Sequence, residues 1–144
     1  MKKIVLLLLA VFAVSSCSLD DDAQNYYLEV LPIDSFEIPE SFVQGRKYEV
    51  KIFYKLPSNC HEVNGLYYAK EENQRIVGVQ SRVRDAAFCE PIENAQLDSL
   101  IFNFEVGTED SYIFKFYKGV DEDGNDVFED VEVPAHPYEA PAVY

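Results

Sequence analysis

The chain contains no tryptophan and a single methionine, and only 12 of its 144 residues are lysine or arginine. Without tryptophan there is no buried indole of the kind antibody-type domains place between their sheets. The shortage of cations has a wider consequence. Against 26 aspartates and glutamates it leaves a formal net charge of −14, a surface that the phosphate backbone of a nucleic acid repels. Long apolar runs are missing too: none reaches the roughly 18 residues of a spanning helix, which excludes a polytopic membrane protein. No Gly-x-Ser-x-Gly elbow, P-loop, Gly-x-Gly-x-x-Gly or His-Glu-x-x-His occurs, so no motif supports nucleophilic, nucleotide-dependent or metalloprotease chemistry. Carboxylates are so numerous that a glycosidase pair cannot be told from chance proximity. The expectation is one domain, with room for a single core, that binds rather than catalyses.

What is present begins with a leader. Met1, Lys2 and Lys3 form a basic start, residues 4–14 are apolar, and Val14-Ser15-Ser16-Cys17 follows. This is the layout of a secretory signal, too short to span a bilayer as a stable helix. Its last four residues resemble a bacterial lipobox: an aliphatic residue, two small ones, then the cysteine whose thiol is acylated. The resemblance implies cleavage before Cys17 and acyl chains that hold the protein on a membrane, at about 0.8 kcal/mol per buried CH₂. Removing Lys2 and Lys3 leaves 10 basic residues against 26 acidic, a mature net charge of −16. The acidic run Asp20-Asp21-Asp22 reads as a solvated tether. It also resembles the acidic export signal that follows the lipidated cysteine of Bacteroidota surface lipoproteins. An outer-membrane, lipid-anchored location is expected, with the cell surface favoured over the periplasmic face.

Two further cysteines, Cys60 and Cys89, make an even pair in an exported chain, for which a disulfide is the default. Closing a loop across 29 positions should stabilise the fold by roughly 3–4 kcal/mol. A Cys-His nucleophile from Cys60-His61 is disfavoured, because strand neighbours point to opposite faces. Zinc is disfavoured because neither cysteine lies in a Cys-x-x-Cys pair.

Through the rest of the chain the hydrophobic period is two. Tyr48, Val50, Ile52, Tyr54 and Leu56 alternate with Lys47, Glu49, Lys51, Phe53 and Lys55, the pattern of a half-buried strand. Val77, Val79 and Val83 form a second set, Leu100, Phe102, Phe104 and Val106 a third, Tyr112, Phe114 and Phe116 a fourth, and Val127, Val131 and Val133 a fifth. Fainter strands are expected at 26–31, 36–38 and 66–70, and a short helical turn at 93–100. Turn residues at 44–45, 57–59, 71–73, 107–110 and 123–125 punctuate the series. About seven to eight short strands predict an all-β, antiparallel, immunoglobulin-like sandwich. The expected division is a signal peptide over 1–16, lipidated cysteine and tether over 17–25, sandwich over 26–133, and a Pro-rich extended tail over 134–144.

Several residues are candidates for a site. Asp121, Asp123, Asn125 and Asp126 surround Gly124 and supply the hard oxygen ligands that Ca²⁺ takes. A hairpin with a charged Asp-Gly tip accounts for the same residues and is the expected reading. His61 and Glu62 fall in the expected 57–65 loop. Tyr67 and Tyr68 are adjacent in a strand, so one of them must face outward, where its ring could stack on a sugar. No cofactor is expected beyond the covalent lipid on Cys17. The partners expected are membrane lipid, through that anchor, and an unidentified protein or glycan ligand.

Together these features resemble small flavobacterial-type Bacteroidota lipoproteins of unknown function. The shared elements are the lipobox, Pro57-Ser-Asn-Cys60, a second cysteine about thirty residues on, and Tyr112-Ile-Phe-Lys-Phe116 running into a Gly-Asn-tipped hairpin that ends in Val131-Glu-Val-Pro134. The resemblance implies an envelope β-sandwich and carries over no catalytic residue. Loops 57–65 and 119–126 are the expected site, in a non-catalytic binding module. Two alternatives are a protease-inhibitor-like sandwich presenting those loops to an enzyme cleft and a Ca²⁺-stabilised structural domain.

Overall fold

The computed structural model describes residues 25–85 and 88–140. Among these, nine strands follow one another: β1 (Tyr26–Leu31), β2 (Ile33–Glu37), β3 (Phe42–Val43), β4 (Lys47–Tyr54), β5 (His61–Glu71), β6 (Gln74–Arg84), β7 (Asp98–Glu105), β8 (Ser111–Val120) and β9 (Asp126–His136). The described residues are all-β, in two sheets that do not close into a barrel. The larger runs β1, β6, β8, β9, β3 with β5 also on β6, and the smaller runs β2, β4, β7. Cys17 and Asp20–22 lie outside the described residues.

The edges of β6 set the shape of the larger sheet. One edge pairs with β5 along the whole strand. The other is divided: Gln74 to Val77 run parallel to β8, and Val79 to Arg84 run antiparallel to β1. Gly78 sits at the branch. Pairing is therefore not purely antiparallel as expected, since β6–β8 and β3–β9 are parallel.

The core lies between the sheets, and the alternating sets build it. Leu31, Val77, Val79, Tyr112, Phe114, Phe116 and Val133 from the larger sheet meet Ile33, Val50, Ile52, Tyr54 and Phe104 from the smaller. Phe42 sits among Tyr48, Phe104, Phe114 and Tyr112 with ring centroids 5.0–6.2 Å apart, in the tilted and edge-on arrangements aromatic rings prefer. Burying each such side chain contributes about 1.5–3 kcal/mol. Leu31 and Ile33 are both buried although they belong to different sheets. The chain changes sheets at Pro32, which has no N–H to leave unpaired.

Three local expectations are corrected. Residues 93–100 form no helix: a turn at Glu93 and Asn94 leads into β7 at Asp98. His61 and Glu62 are not in a loop but begin β5. The last strand does not stop before Pro134. It continues to His136, with Ala135 buried and paired with Phe42. Pro134 is tolerated because it lies opposite Ser111, the first residue of β8, where a missing donor disturbs the ladder least.

Candidate functional site

One row of side chains crosses the outward face of the larger sheet. Tyr67 on β5 is the cross-strand partner of Gly78 on β6, and Tyr117 on β8 is the partner of Phe128 on β9. Because Phe116 pairs with Val77, Tyr117 falls beside Gly78. A Cβ at residue 78 would stand 3.6 Å from the Tyr117 Cβ and 3.7 Å from the Tyr67 Cβ, and only 2.5 Å from Val30 Cγ1. The missing side chain thus leaves a gap between two tyrosines, and a methyl of Val30 leans into it. Glycine is required there for close approach.

The result is a groove of about 530 Å³ lined by Val30, Tyr67, Ile76, Tyr117, Val120 and Phe128, with Glu29 and Asp126 contributing carboxylates. The Tyr117 and Phe128 rings lie 5.8 Å apart and tilted by 58°. Burial, and then the negative charges of Asp126 and Glu29, hold the Tyr117 hydroxyl above the ordinary phenol range. Lys115 Nζ sits 5.5 Å from the Phe128 ring centre and 2.8 Å from Asp130 Oδ2, so its charge is matched on the strand pair itself. Such a groove can stack flat rings and accept hydrogen bonds. Its lining includes no serine, cysteine or histidine.

His61 reaches this region through Glu29. Its Nε2 lies 3.0 Å from Glu29 Oε2, and its Nδ1 lies 2.7 Å from Ser58 Oγ. With both ring nitrogens engaged and the side chain only 10% exposed, the imidazole ties β5 to β1. Glu62 points elsewhere and meets Arg82 at 2.8 Å. The Arg82 hydrogen bond and charge hold its carboxyl below the usual range.

Tyr67 and Tyr68 part company. Tyr67 enters the groove, whereas Tyr68 packs edge-on to Phe102 of the smaller sheet at 6.0 Å. Cys60 and Cys89 form the disulfide, with Cα atoms 5.5 Å apart.

The 119–126 turn is organised around one side chain. Asp121 Oδ1 accepts the backbone N–H of Asp123 at 2.9 Å and of Asn125 at 2.8 Å, and both its oxygens meet the Asn125 amide nitrogen, at 3.3 and 3.1 Å. These bonds, chiefly those from Asn125, hold the Asp121 carboxyl below its ordinary value. Gly124 has φ +82°, the left-handed conformation that a tight tip requires. Among the described residues no three His, Cys, Asp or Glu side chains converge as metal ligands. Of this turn's candidates, only Asp126 lines the groove.

Tyr117, Phe128 and Gly78 were not among the expected site residues, yet each leaves a trace. Tyr117 and Phe128 are aromatics out of phase with the apolar sets of their strands, and Gly78 interrupts a valine run. Arg75 was missed as well. It is buried in phase with Val77 and Val79, its Nη1 donating to the carbonyls of Glu72 (2.9 Å) and Gln74 (2.7 Å) while its guanidinium lies 4.9 Å over the Tyr112 ring. Comparison with protein-family models, curated proteins and solved structures finds no match to this chain.

Proposed function

We propose that this chain is a lipid-anchored outer-membrane protein that binds rather than catalyses, and that its ligand lies on the Tyr67–Gly78–Tyr117–Phe128 row. The observation that carries the reading is the position of those rings. They line an outward groove on a sheet whose inner face already carries a filled aromatic core, so packing between the sheets does not account for them. Flat ring faces beside carboxylates suit a sugar ring, stacked and hydrogen-bonded. The lipobox at residues 14–17 supports the anchor. The Cys60–Cys89 disulfide supports export, because such bonds persist in oxidising compartments. Asp20–Asp22 supports display at the cell surface, as in the Bacteroidota lipoproteins the chain resembles. The two facing sheets support an immunoglobulin-like architecture.

The test is a glycan screen with wild-type protein, followed by titration of any captured oligosaccharide. Tyr67→Ala and Phe128→Ala should each weaken binding by about tenfold, equivalent to 1.4 kcal/mol, and Tyr138→Ala should leave it unchanged. Equal losses at all three positions, or none at Tyr67 and Phe128, would sink the groove reading. Cys17→Ala should move the protein from the membrane to the soluble fraction. Protease added to intact cells should remove the wild-type domain, and protection until lysis would place it on the periplasmic side.

A further inference from the structure

We propose that the groove takes a cationic sugar: an oligosaccharide of amino-hexoses with free, protonated amines, one ammonium seated against the Tyr117 and Phe128 rings and the Asp126 carboxylate. This rests on the glycan reading above and adds the charge of the sugar to it. The lining carries two carboxylates, Glu29 and Asp126, and no lysine, arginine or histidine. Among the described residues the Asp126 side chain makes no ion pair. Glu29 commits Oε2 to His61 Nε2 at 3.0 Å, which leaves Oε1 for a ligand.

The cations nearest the groove are already matched. Strand alternation puts Lys115 and Arg82 on the same outward face as Tyr117 and Gly78. Lys115 meets Asp130 at 2.8 Å, and Arg82 meets Glu62 at 2.8 Å. Lys118, next to Tyr117, meets Glu129 at 3.3 Å and donates to the Asp34 carbonyl at 2.9 Å. Glu29 and Asp126 therefore set the sign of the groove. Their charges reach its interior: after burial, they are what hold the Tyr117 hydroxyl above the ordinary phenol range. The rings favour the same sign, since an aromatic face is negative and attracts an ammonium within about 6 Å of its centre. Two rings of this face already do so, with Lys115 Nζ 5.5 Å from the Phe128 centre and the Arg82 guanidinium 4.9 Å from that of Tyr26. An acetylated amine is neutral and loses both attractions, and an acidic sugar is repelled. Charge thus separates sugars that stacking alone treats alike.

The test is titration of the full chain with a linear tetramer of glucosamine and with its fully N-acetylated counterpart, in slightly acidic buffer of low ionic strength. The two probes share linkage and length and differ in charge. The free-amine tetramer should bind about tenfold tighter. Asp126→Asn should weaken it by about three- to fivefold, and Glu29→Gln by less, because His61 holds one oxygen. Neither should alter binding of the N-acetylated tetramer. Asp110→Asn, beside the opposite end of β8, should change nothing. Equal affinity for the two tetramers, both weakened by Tyr67→Ala, would overturn the charge preference and leave the groove reading standing. A loss at Asp110→Asn as large as that at Asp126→Asn would assign the preference to the overall negative charge of the chain and overturn the proposal. No binding of the free-amine tetramer would overturn it as well, and the groove reading would then be judged on the screened glycan and its Tyr67 and Phe128 variants.

Discussion

Phe114 and Tyr117 are three residues apart on β8 and live in different worlds. Phe114 faces inward, has no solvent exposure and touches the rings of Phe42, Phe104 and Phe116. Tyr117 faces outward, meets the Phe128 ring at 5.8 Å, and lines an open groove. Both are aromatic and both occupy regular strand positions. Period two alone assigns them to opposite faces, and the facing sheet then decides what each ring does. Inward, a second sheet removes water and the ring stabilises the fold. Outward, no sheet arrives, and the ring is left available to a ligand.

That contrast is sharpest in stability. Phe114→Ala should destabilise by about 3–5 kcal/mol, through lost burial and a cavity the neighbouring rings cannot fill, read from the denaturant midpoint. A loss under 1 kcal/mol would mean the inner row is not the core. Replacing Cys60 and Cys89 together by alanine should remove about 2–4 kcal/mol, on the same assay under non-reducing conditions.

Gly78 tests the groove's construction. Gly78→Ala places a methyl against Val30 Cγ1, and overpacking of this kind costs about 1–3 kcal/mol. Val30→Ala should relieve much of it, so a double-mutant cycle should show coupling of about 0.5–3 kcal/mol. Simple additivity would mean that Val30 does not fill the gap.

The Tyr117 hydroxyl gives a pH signature. Its folded-state pKa is raised, so the unfolded chain loses this proton first. The contribution to stability is intact below the ordinary phenol value near 10 and is lost as pH rises through the higher folded value. Ultraviolet titration should show Tyr117 ionising late, and Asp126→Asn should bring it earlier. The smallest effect belongs to Tyr67→Ala, which should change stability by less than about 0.5 kcal/mol while weakening ligand binding.

Much of the fold was legible because strand alternation is local. The sets at Tyr48–Leu56, Leu100–Val106 and Tyr112–Phe116 map onto inward positions, and β1 falls on Tyr26–Leu31 as expected. Errors arose where a local signal met a distant partner. Pro134 reads as a strand breaker, yet the chain continues because Ala135 N finds Asp110 O at 2.8 Å and β3 pairs alongside. His61 reads as a loop residue after Pro57 and Asn59, yet β6 recruits it opposite Val83. Arg75 is buried in phase with Val77 and Val79, and only the carbonyls of its turn and the Tyr112 ring, none of them readable from its own strand, explain that burial. Of the candidate site, Tyr67 and Asp126 are legible in the sequence, whereas Tyr117, Phe128 and Gly78 leave only a break of phase on their own strands, which does not say that they adjoin.

By itself the sequence determined the acidic balance, the Cys60 and Cys89 pair, and which side chains of each strand share a face. Those properties depend on composition, on residues a few positions apart, or on a period of two. Only the tertiary structure decided that residues 67, 78, 117 and 128 stand in one row. A row across a sheet runs perpendicular to the chain, so it depends on the register of four strands at once. That register is set by the bulges at Val63–Gly65 and Tyr117–Gly119 and by the divided edge of β6, and no single stretch of sequence contains all three.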